Sequence, residues 1–88
     1  MFEDVITAEN VEKLRNLGVY WKYNDSNPAN TKCDKFANKQ LWLNYNKHWY
    51  RYHNTNLGSL IFEFLYCNNS VSINETIDRL IKENKLEA

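Results

Sequence analysis

The chain has 88 residues and a formal net charge of zero, and no apolar run approaches the ~20 residues that span a bilayer. Its hydrophobic fraction of 43% and charged fraction of 25% are typical of a soluble globular protein and exclude a disordered chain. This length accommodates one core, so a single domain is predicted over residues 1–88, with its core at about 5–82 and a frayed tail at 83–88. The acidic N-terminal segment lacks the basic and apolar regions of a signal peptide, so the expected location is cytoplasmic.

The zero net charge hides a basic middle segment. Residues 30–55 hold five basic residues and one acidic residue, whereas the flanking segments 1–29 and 56–88 each hold three basic and five acidic residues. The same middle segment contains the densest aromatic cluster, "HWYRYH" at 48–53. Positive charge and aromatic rings therefore coincide in the chain, as they do in many binding surfaces.

A first helix is predicted at the start of the chain. Thr7 is a suitable N-cap, and Gly18 is a suitable C-terminal stop. Between them Val11, Leu14 and Leu17 form one apolar stripe at helical spacing. This stripe is expected to pack against the core.

Strands are predicted in the middle of the chain. "VYWKY" at 19–23 is rich in strand-forming residues, and "NDSNPAN" at 24–30 is typical of a polar loop. "TKCDKF" at 31–36 is a weaker strand candidate. The clearest strands are "QLWLNY" at 40–45 and "HWYRYH" at 48–53.

These two clearest strands are predicted to form a hairpin across Asn46-Lys47. With a two-residue turn, alternation places five apolar or aromatic residues on one face as core. They are Leu41, Leu43, Tyr45, Tyr50 and Tyr52. The other face is polar, basic and aromatic together, with Trp42 directly opposite Arg51, although a one-residue slip would exchange the faces of one strand. Its members are Gln40, Trp42, Asn44, Trp49, Arg51 and His53.

Two further helices are predicted in the last third of the chain. "SLIFEFLY" after Gly58 indicates a short buried helix on which Glu63 is expected to be a solvated charge. Its inward residues are Leu60, Ile61, Phe64 and Leu65. "SINE" at 72–75 matches a capping box with Ser72 as N-cap, and it opens the last helix. The buried stripe of that helix is predicted to be Ile77, Leu80 and Ile81. Together the elements predict an α+β fold, with a small antiparallel sheet of three to four strands and helices packed on one face.

The polar and aromatic face suits single-stranded nucleic acid, because bases stack on rings while cations hold the phosphates. The candidate nucleic-acid-binding residues are Trp42, Trp49, Arg51, His53, Lys35, Lys39 and Lys47. Two alternatives stay open. The tryptophans can belong to the core while the lysines only solubilise the chain, or the same aromatic face can bind a protein, since Trp, Tyr and Arg dominate such interfaces.

Metal binding and catalysis receive little support from the sequence. Cys33, His48, His53 and Cys67 lack the close ligand pairs of zinc sites, and an odd separation of five places the two histidines on opposite faces of one strand. Two buried thiols and two exposed imidazoles are expected instead. With only two glycines, the chain has no phosphate-cradling loop. We therefore expect no metal, no cofactor, no small-molecule substrate and no enzymatic activity.

Residues 41–81 resemble the zinc-binding domain of bacterial-type DNA primases, and more closely its zinc-less relatives in primase-like proteins of plasmids, phages and other mobile elements. The shared pattern is an aromatic strand, a glycine-containing loop, a buried helix and a further helix with a capped start. In this chain the pattern falls on Trp49, Tyr50, Tyr52, Gly58, Ser59, Ile61, Phe64, Leu65, Ser72, Glu75, Thr76, Ile77 and Leu80.

The resemblance implies a domain without zinc. The family's ligands come as C-x2-H and C-x2-C pairs, but Cys33 is followed here by Phe36, and the second pair falls near Tyr52 and Thr55. The family's catalytic TOPRIM domain is expected to be absent. What remains is a non-catalytic accessory domain that binds single-stranded DNA template and docks to a primase, polymerase or helicase in replication of a mobile element or phage. The alternative is a protein-protein adaptor or inhibitor that uses the same aromatic face without nucleic acid.

Overall fold

A computed structural model describes residues 2–25 and 39–88. After a 3-10 helix at Phe2–Val5, the elements are α1 (Ala8–Asn16), β1 (Val19–Asp25), β2 (Lys39–Tyr45), β3 (His48–Tyr52), α2 (Leu57–Phe64), α3 (Ser70–Lys82) and β4 (Leu86–Glu87). The four strands form one antiparallel sheet in the order β1-β2-β3-β4. The helices pack on one face of this sheet, so the predicted α+β architecture is confirmed.

The hairpin between β2 and β3 has the predicted register. Asn46 and Lys47 both take left-handed backbone conformations, with φ of 55° and 66°, as a two-residue turn of type I′ requires. Leu43 therefore pairs with Tyr50, and Trp42 lies opposite Arg51. The assignment of alternate residues to opposite faces of the sheet is confirmed.

The inner face of the sheet, which packs on the helices, carries the predicted core residues. Leu41, Leu43 and Tyr52 are buried, and Tyr45 and Tyr50 pack against them half-buried. The helices contribute Leu14, Leu60, Ile61, Phe64, Ile73, Ile77 and Leu80. Each such side chain stabilises the fold by about 1.5–3 kcal/mol when it leaves water. The inner face is therefore the main source of stability.

The start of the chain follows the sequence pattern. The Thr7 side-chain oxygen accepts a hydrogen bond from the Asn10 backbone N–H at 3.1 Å and caps α1. Leu14 is buried, with Val11 half-buried beside it. Gly18 ends the helix with φ of 89°, a conformation that a residue with a Cβ adopts only with strain.

The predicted starts of α2 and α3 need correction. Helix α2 begins at Leu57, before Gly58, because the Asn56 side chain caps it by accepting the Ser59 N–H at 3.2 Å. In α3 the predicted cap at Ser72 is wrong. Asn69 caps the helix by accepting the Ser72 N–H at 3.0 Å, so Ser72 lies inside the helix.

In the buried stripe of α3, the predicted Ile77 and Leu80 are confirmed and the predicted Ile81 is wrong. Ile73, Ile77 and Leu80 are fully or nearly fully buried, whereas the predicted Ile81 is 40% exposed. Ile73, one turn before Ile77, completes the stripe and was not predicted. The stripe itself keeps the spacing of one helical face.

The C-terminal segment forms a strand, so the predicted frayed tail at 83–88 is wrong. Asn84 reverses the chain with φ of 63°, and the Lys85 N–H donates to the Leu80 carbonyl at 2.8 Å. Leu86 then pairs with Tyr52 and is only 2% exposed. The buried Leu86 and the turn at Asn84 thus hold this polar segment against the sheet.

Several predictions fall outside the described residues. They are the strand at 31–36, most of the loop at 24–30, and the positions of Cys33 and Lys35. Lys39 opens β2, and the structure describes only its backbone. None of the helices in the described ranges has the length and apolar character that crossing a lipid bilayer requires.

Candidate functional site

The sheet has a second face, here called the outer face, which is turned away from the helices. Strand alternation assigns it a mixture of aromatic, cationic and amide side chains. Its members are Tyr20, Lys22, Gln40, Trp42, Asn44, Trp49, Arg51 and Glu87. Tyr20 is 49% exposed and Trp49 is 40% exposed. Large rings at this exposure are available to a ligand.

The outer-face residues form two rows across the sheet. One row runs from Tyr20 through Asn44 to Trp49, and the other from Lys22 through Trp42 to Arg51 and Glu87. Neighbouring strands lie ~4.8 Å apart, so the longer row spans about 14 Å. Within the longer row, Lys22, Trp42 and Arg51 alternate cation, ring and cation over about 10 Å, and the row ends at the Glu87 carboxylate.

Lys22 and Trp49 are in direct contact. The Lys22 ammonium lies 4.5 Å from the centroid of the Trp49 ring, which is a cation–π arrangement. At an exposed site such a contact contributes about 0.5–1 kcal/mol. The contact orients both side chains on the outer face, and it is weak enough for a ligand to displace it.

Arg51 is the least satisfied charged group of this face. It is half-buried, yet its side chain makes no hydrogen bond or ion pair with the described residues of 2–25 and 39–88. Its neighbour Trp42 is also half-buried and donates its ring N–H to Gln40 Oε1 at 3.2 Å. A guanidinium has five N–H donors, so Arg51 presents an open anion-binding group beside an indole ring.

His53, the fourth predicted binding residue of this face, is held by the C-terminal segment. Its backbone N–H donates to the Lys85 carbonyl at 2.9 Å, and its Nδ1 lies 2.7 Å from the Asn84 carbonyl oxygen. Its Nε2 lies 3.6 Å from Glu87 Oε1. The structure thus places His53 just after β3, where it fastens β4 to the sheet.

The predicted lysines are placed unevenly. Lys47 is exposed in the hairpin turn, at one end of the outer face.

Sequence reasoning missed Tyr20 and Lys22, although both lie in a strand that it predicted. The alternation of "VYWKY" could have found them, because Val19 is buried and its neighbour must point outward.

Glu63 belongs to a different charged cluster on the helix side. It was expected to be a solvated charge, which is wrong: its side chain is 18% exposed and accepts from Arg79 Nη2 at 2.6 Å. Lys85 Nζ lies 3.7 Å from its other oxygen. The hydrogen bond to Glu63 raises the pKa of Arg79, and the hydrogen bond to Glu83 raises the pKa of Lys85. These cations are already satisfied by the protein.

The residues weighed as metal ligands are dispersed. The Cys67 thiol is buried and lies 3.3 Å from Thr76 Oγ1, while the His48 ring packs 4.5 Å from Tyr50. A buried Cys67 and exposed His48 and His53 were predicted, and this is confirmed. Within the described ranges, no three His, Cys, Asp or Glu side chains come together to hold a metal ion.

Comparisons with known proteins give no relative for this chain, since no protein-family model, curated protein or solved structure matches it. The resemblance to primase zinc-binding domains rests on the sequence motifs alone and stays a prediction.

Proposed function

We propose that the outer face binds single-stranded nucleic acid, and that the protein is a non-catalytic accessory factor. The observation that carries this proposal is Arg51, a half-buried arginine beside Trp42 whose side chain makes no hydrogen bond or ion pair with the described residues. The described residues leave its guanidinium donors unused, so an arriving phosphate gains charge-assisted hydrogen bonds. A cation that only keeps the protein soluble does not have to be half-buried in the sheet.

The exposed rings supply the second half of the interaction. A base stacked on an aromatic ring contributes about 1–3 kcal/mol, which exceeds the ~0.5–1 kcal/mol of an exposed cation–π contact. A base can therefore displace Lys22 from the ring of Trp49. The released ammonium is then free to meet a phosphate of the same strand.

Geometry favours a single strand over a duplex. Stacking on Trp49 or Tyr20 requires a base with a free face, which a paired and stacked duplex does not offer. Lys22, Trp42 and Arg51 alternate cation, ring and cation over about 10 Å of sheet, which matches the alternation of phosphate and base in an extended strand. Asn44, between the two rings of its row, adds an amide that can hydrogen-bond a base edge.

The resemblance to primase zinc-binding domains supplies the proposed context. It points to a single-stranded DNA template and to a primase, polymerase or helicase partner in the cytoplasm, during replication of a mobile element or phage. The outer face is proposed for the template. The proposed template, partner and replication context depend on the sequence motifs shared with primase zinc-binding domains.

The test is the binding of a labelled oligothymidylate, followed by fluorescence anisotropy at low salt. We expect Arg51→Ala to weaken binding about 10-fold or more, the cost of a lost charged contact. Arg15→Ala is the matched control, because Arg15 is an exposed arginine of α1 on the helix side. Equal affinity of the two variants would contradict the proposal. If wild-type protein binds no oligonucleotide, the adaptor alternative takes its place.

A further inference from the structure

Strand β4 brings a carboxylate to the cationic outer face. Glu87 pairs with Arg51 across the sheet, so the two side chains leave the same face from neighbouring positions. Opposite charges at such positions normally attract. Instead, Glu87 Oε1 lies 3.6 Å from His53 Nε2, and Arg51 makes no ion pair within the described residues.

We propose that His53 is a positioning residue that draws Glu87 away from Arg51 and thereby keeps the guanidinium open for a phosphate. This inference rests on the proposed function, because it assigns a regulator to the same binding face. Glu87 is the built-in competitor of the phosphate, and His53 decides where its carboxylate lies. The C-terminal strand then sets the affinity of the face without contacting the ligand.

The hydrogen-bond pattern of His53 makes this control depend on its protonation. The Asn84 carbonyl can only accept, so Nδ1 must donate to it. Nε2 therefore attracts Glu87 only when it carries a proton as well, which makes the ring a cation. In the neutral ring, the Nε2 lone pair faces the carboxylate, and Glu87 is released toward Arg51.

The other charged groups around His53 do not take over its role. Glu63, Lys85 and Tyr52 line the same groove as His53. Lys85 is engaged by Glu83 at 3.3 Å and by Glu63 at 3.7 Å. Glu63 is held in addition by Arg79. His53 and Arg51 are therefore the two cationic groups that compete for the Glu87 carboxylate.

The experiment measures oligothymidylate affinity between about pH 5.5 and 8, the range over which histidine changes charge. We expect wild-type affinity to fall about two- to fivefold as the pH rises, which is the effect of one surface ion pair. Glu87→Gln should remove most of this dependence and bind throughout as the wild type does at acidic pH. His53→Gln should bind weakly at every pH, and the double variant should regain the affinity.

Two outcomes would overturn the inference. One is an unchanged pH dependence in Glu87→Gln, which would show that His53 acts through its own charge. The other is a double variant as weak as His53→Gln. Protection of the His53 backbone N–H from hydrogen exchange in Glu87→Gln checks that the C-terminal segment still pairs with the sheet.

A readout without nucleic acid separates this inference from the proposed function. In the free protein, the NMR signal of Arg51 Nε–H should shift between pH 5.5 and 8, and this shift should be lost in Glu87→Gln. If wild-type protein fails to bind oligonucleotide while this coupling is present, the proposed ligand is wrong and the His53–Glu87 device stands. Absence of the coupling overturns the device whatever the ligand.

Discussion

The two faces of the sheet are built from alternate residues of the same strands, and both carry aromatic rings in different chemical surroundings. On the inner face, Tyr52 is buried among leucines and its hydroxyl shares a 2.9 Å hydrogen bond with Ser59. On the outer face, Trp49 is 40% exposed and Arg51 has no partner within the described residues. Polar groups satisfied within the protein indicate a structural role, whereas unsatisfied ones indicate a surface for a ligand.

Charged residues show the same division. Arg79 and Lys85 on the helix side are paired with Glu63 and Glu83. On the outer face, the Lys22 ammonium lies over the ring of Trp49 and makes no ion pair or hydrogen bond with the described residues. Alternation along a strand thus separates the residues that hold the fold from those available for binding.

The largest expected effect is on stability, at the inner face. Leu43→Ala removes a fully buried side chain and should lower the free energy of unfolding by about 2–5 kcal/mol. Asn44→Ala, the next residue and on the outer face, should change it by about 0.5 kcal/mol or less. Urea denaturation measures both variants. Similar losses would mean that the outer face also holds the fold together.

The second effect is on binding, at the outer face. Trp49→Ala should weaken oligonucleotide binding by about 5- to 150-fold, which corresponds to the ~1–3 kcal/mol of one stacked base. The free energy of unfolding should change far less than in Leu43→Ala. Tyr66→Ala is the matched control, since Tyr66 follows α2 on the helix side and is 76% exposed. A comparable loss of binding in this control would contradict the assignment of the outer face.

At Lys47, in the hairpin turn, one substitution is expected to increase stability and to weaken binding. Lys47 has φ of 66°, where a lysine is strained and glycine is not. Lys47→Gly should therefore raise the free energy of unfolding by about 0.5–1 kcal/mol and weaken oligonucleotide binding through loss of one cation. Opposite signs in the two measurements are the expected result. Unchanged binding would remove Lys47 from the interface.

The smallest effect is on the helix side and depends on pH. The pKa of Lys85 is raised above its ordinary value of 10.5 by the hydrogen bond to Glu83 and the charge of Glu63. Its contribution to stability is therefore complete below pH 10.5 and is lost as the pH rises through the raised value. The stability difference between wild type and Lys85→Met should shrink at high pH.

The sequence predicted best where structure is local and periodic. The register of β2 with β3 follows from the Asn46-Lys47 turn, and alternation then assigns every residue of the hairpin to a face. It failed at α3, because Asn69 and Ser72 are both good caps and only tertiary packing selects the earlier one. The spacing of apolar residues alone does not decide at which of two possible caps a helix begins.

Long-range contacts were the harder part. β4 escaped prediction because a two-residue strand has no periodic signal, and Leu86 is buried only through its pairing with Tyr52. The candidate site was therefore half visible from sequence. Trp42, Trp49 and Arg51 followed from one hairpin, whereas Lys22 required the pairing of β1 with β2, and Glu87 required the pairing of β4 with β3.

The three tryptophans give the most direct test of the division between the faces. Trp42 and Trp49 lie on the outer face, while Trp21 packs against the core from the inner face. In an NMR titration with a short oligothymidylate at low salt, the indole N–H signals of Trp42 and Trp49 should shift or broaden and that of Trp21 should stay in place. Unmoved signals for Trp42 and Trp49, or a shift confined to Trp21 and the helices, would contradict the account.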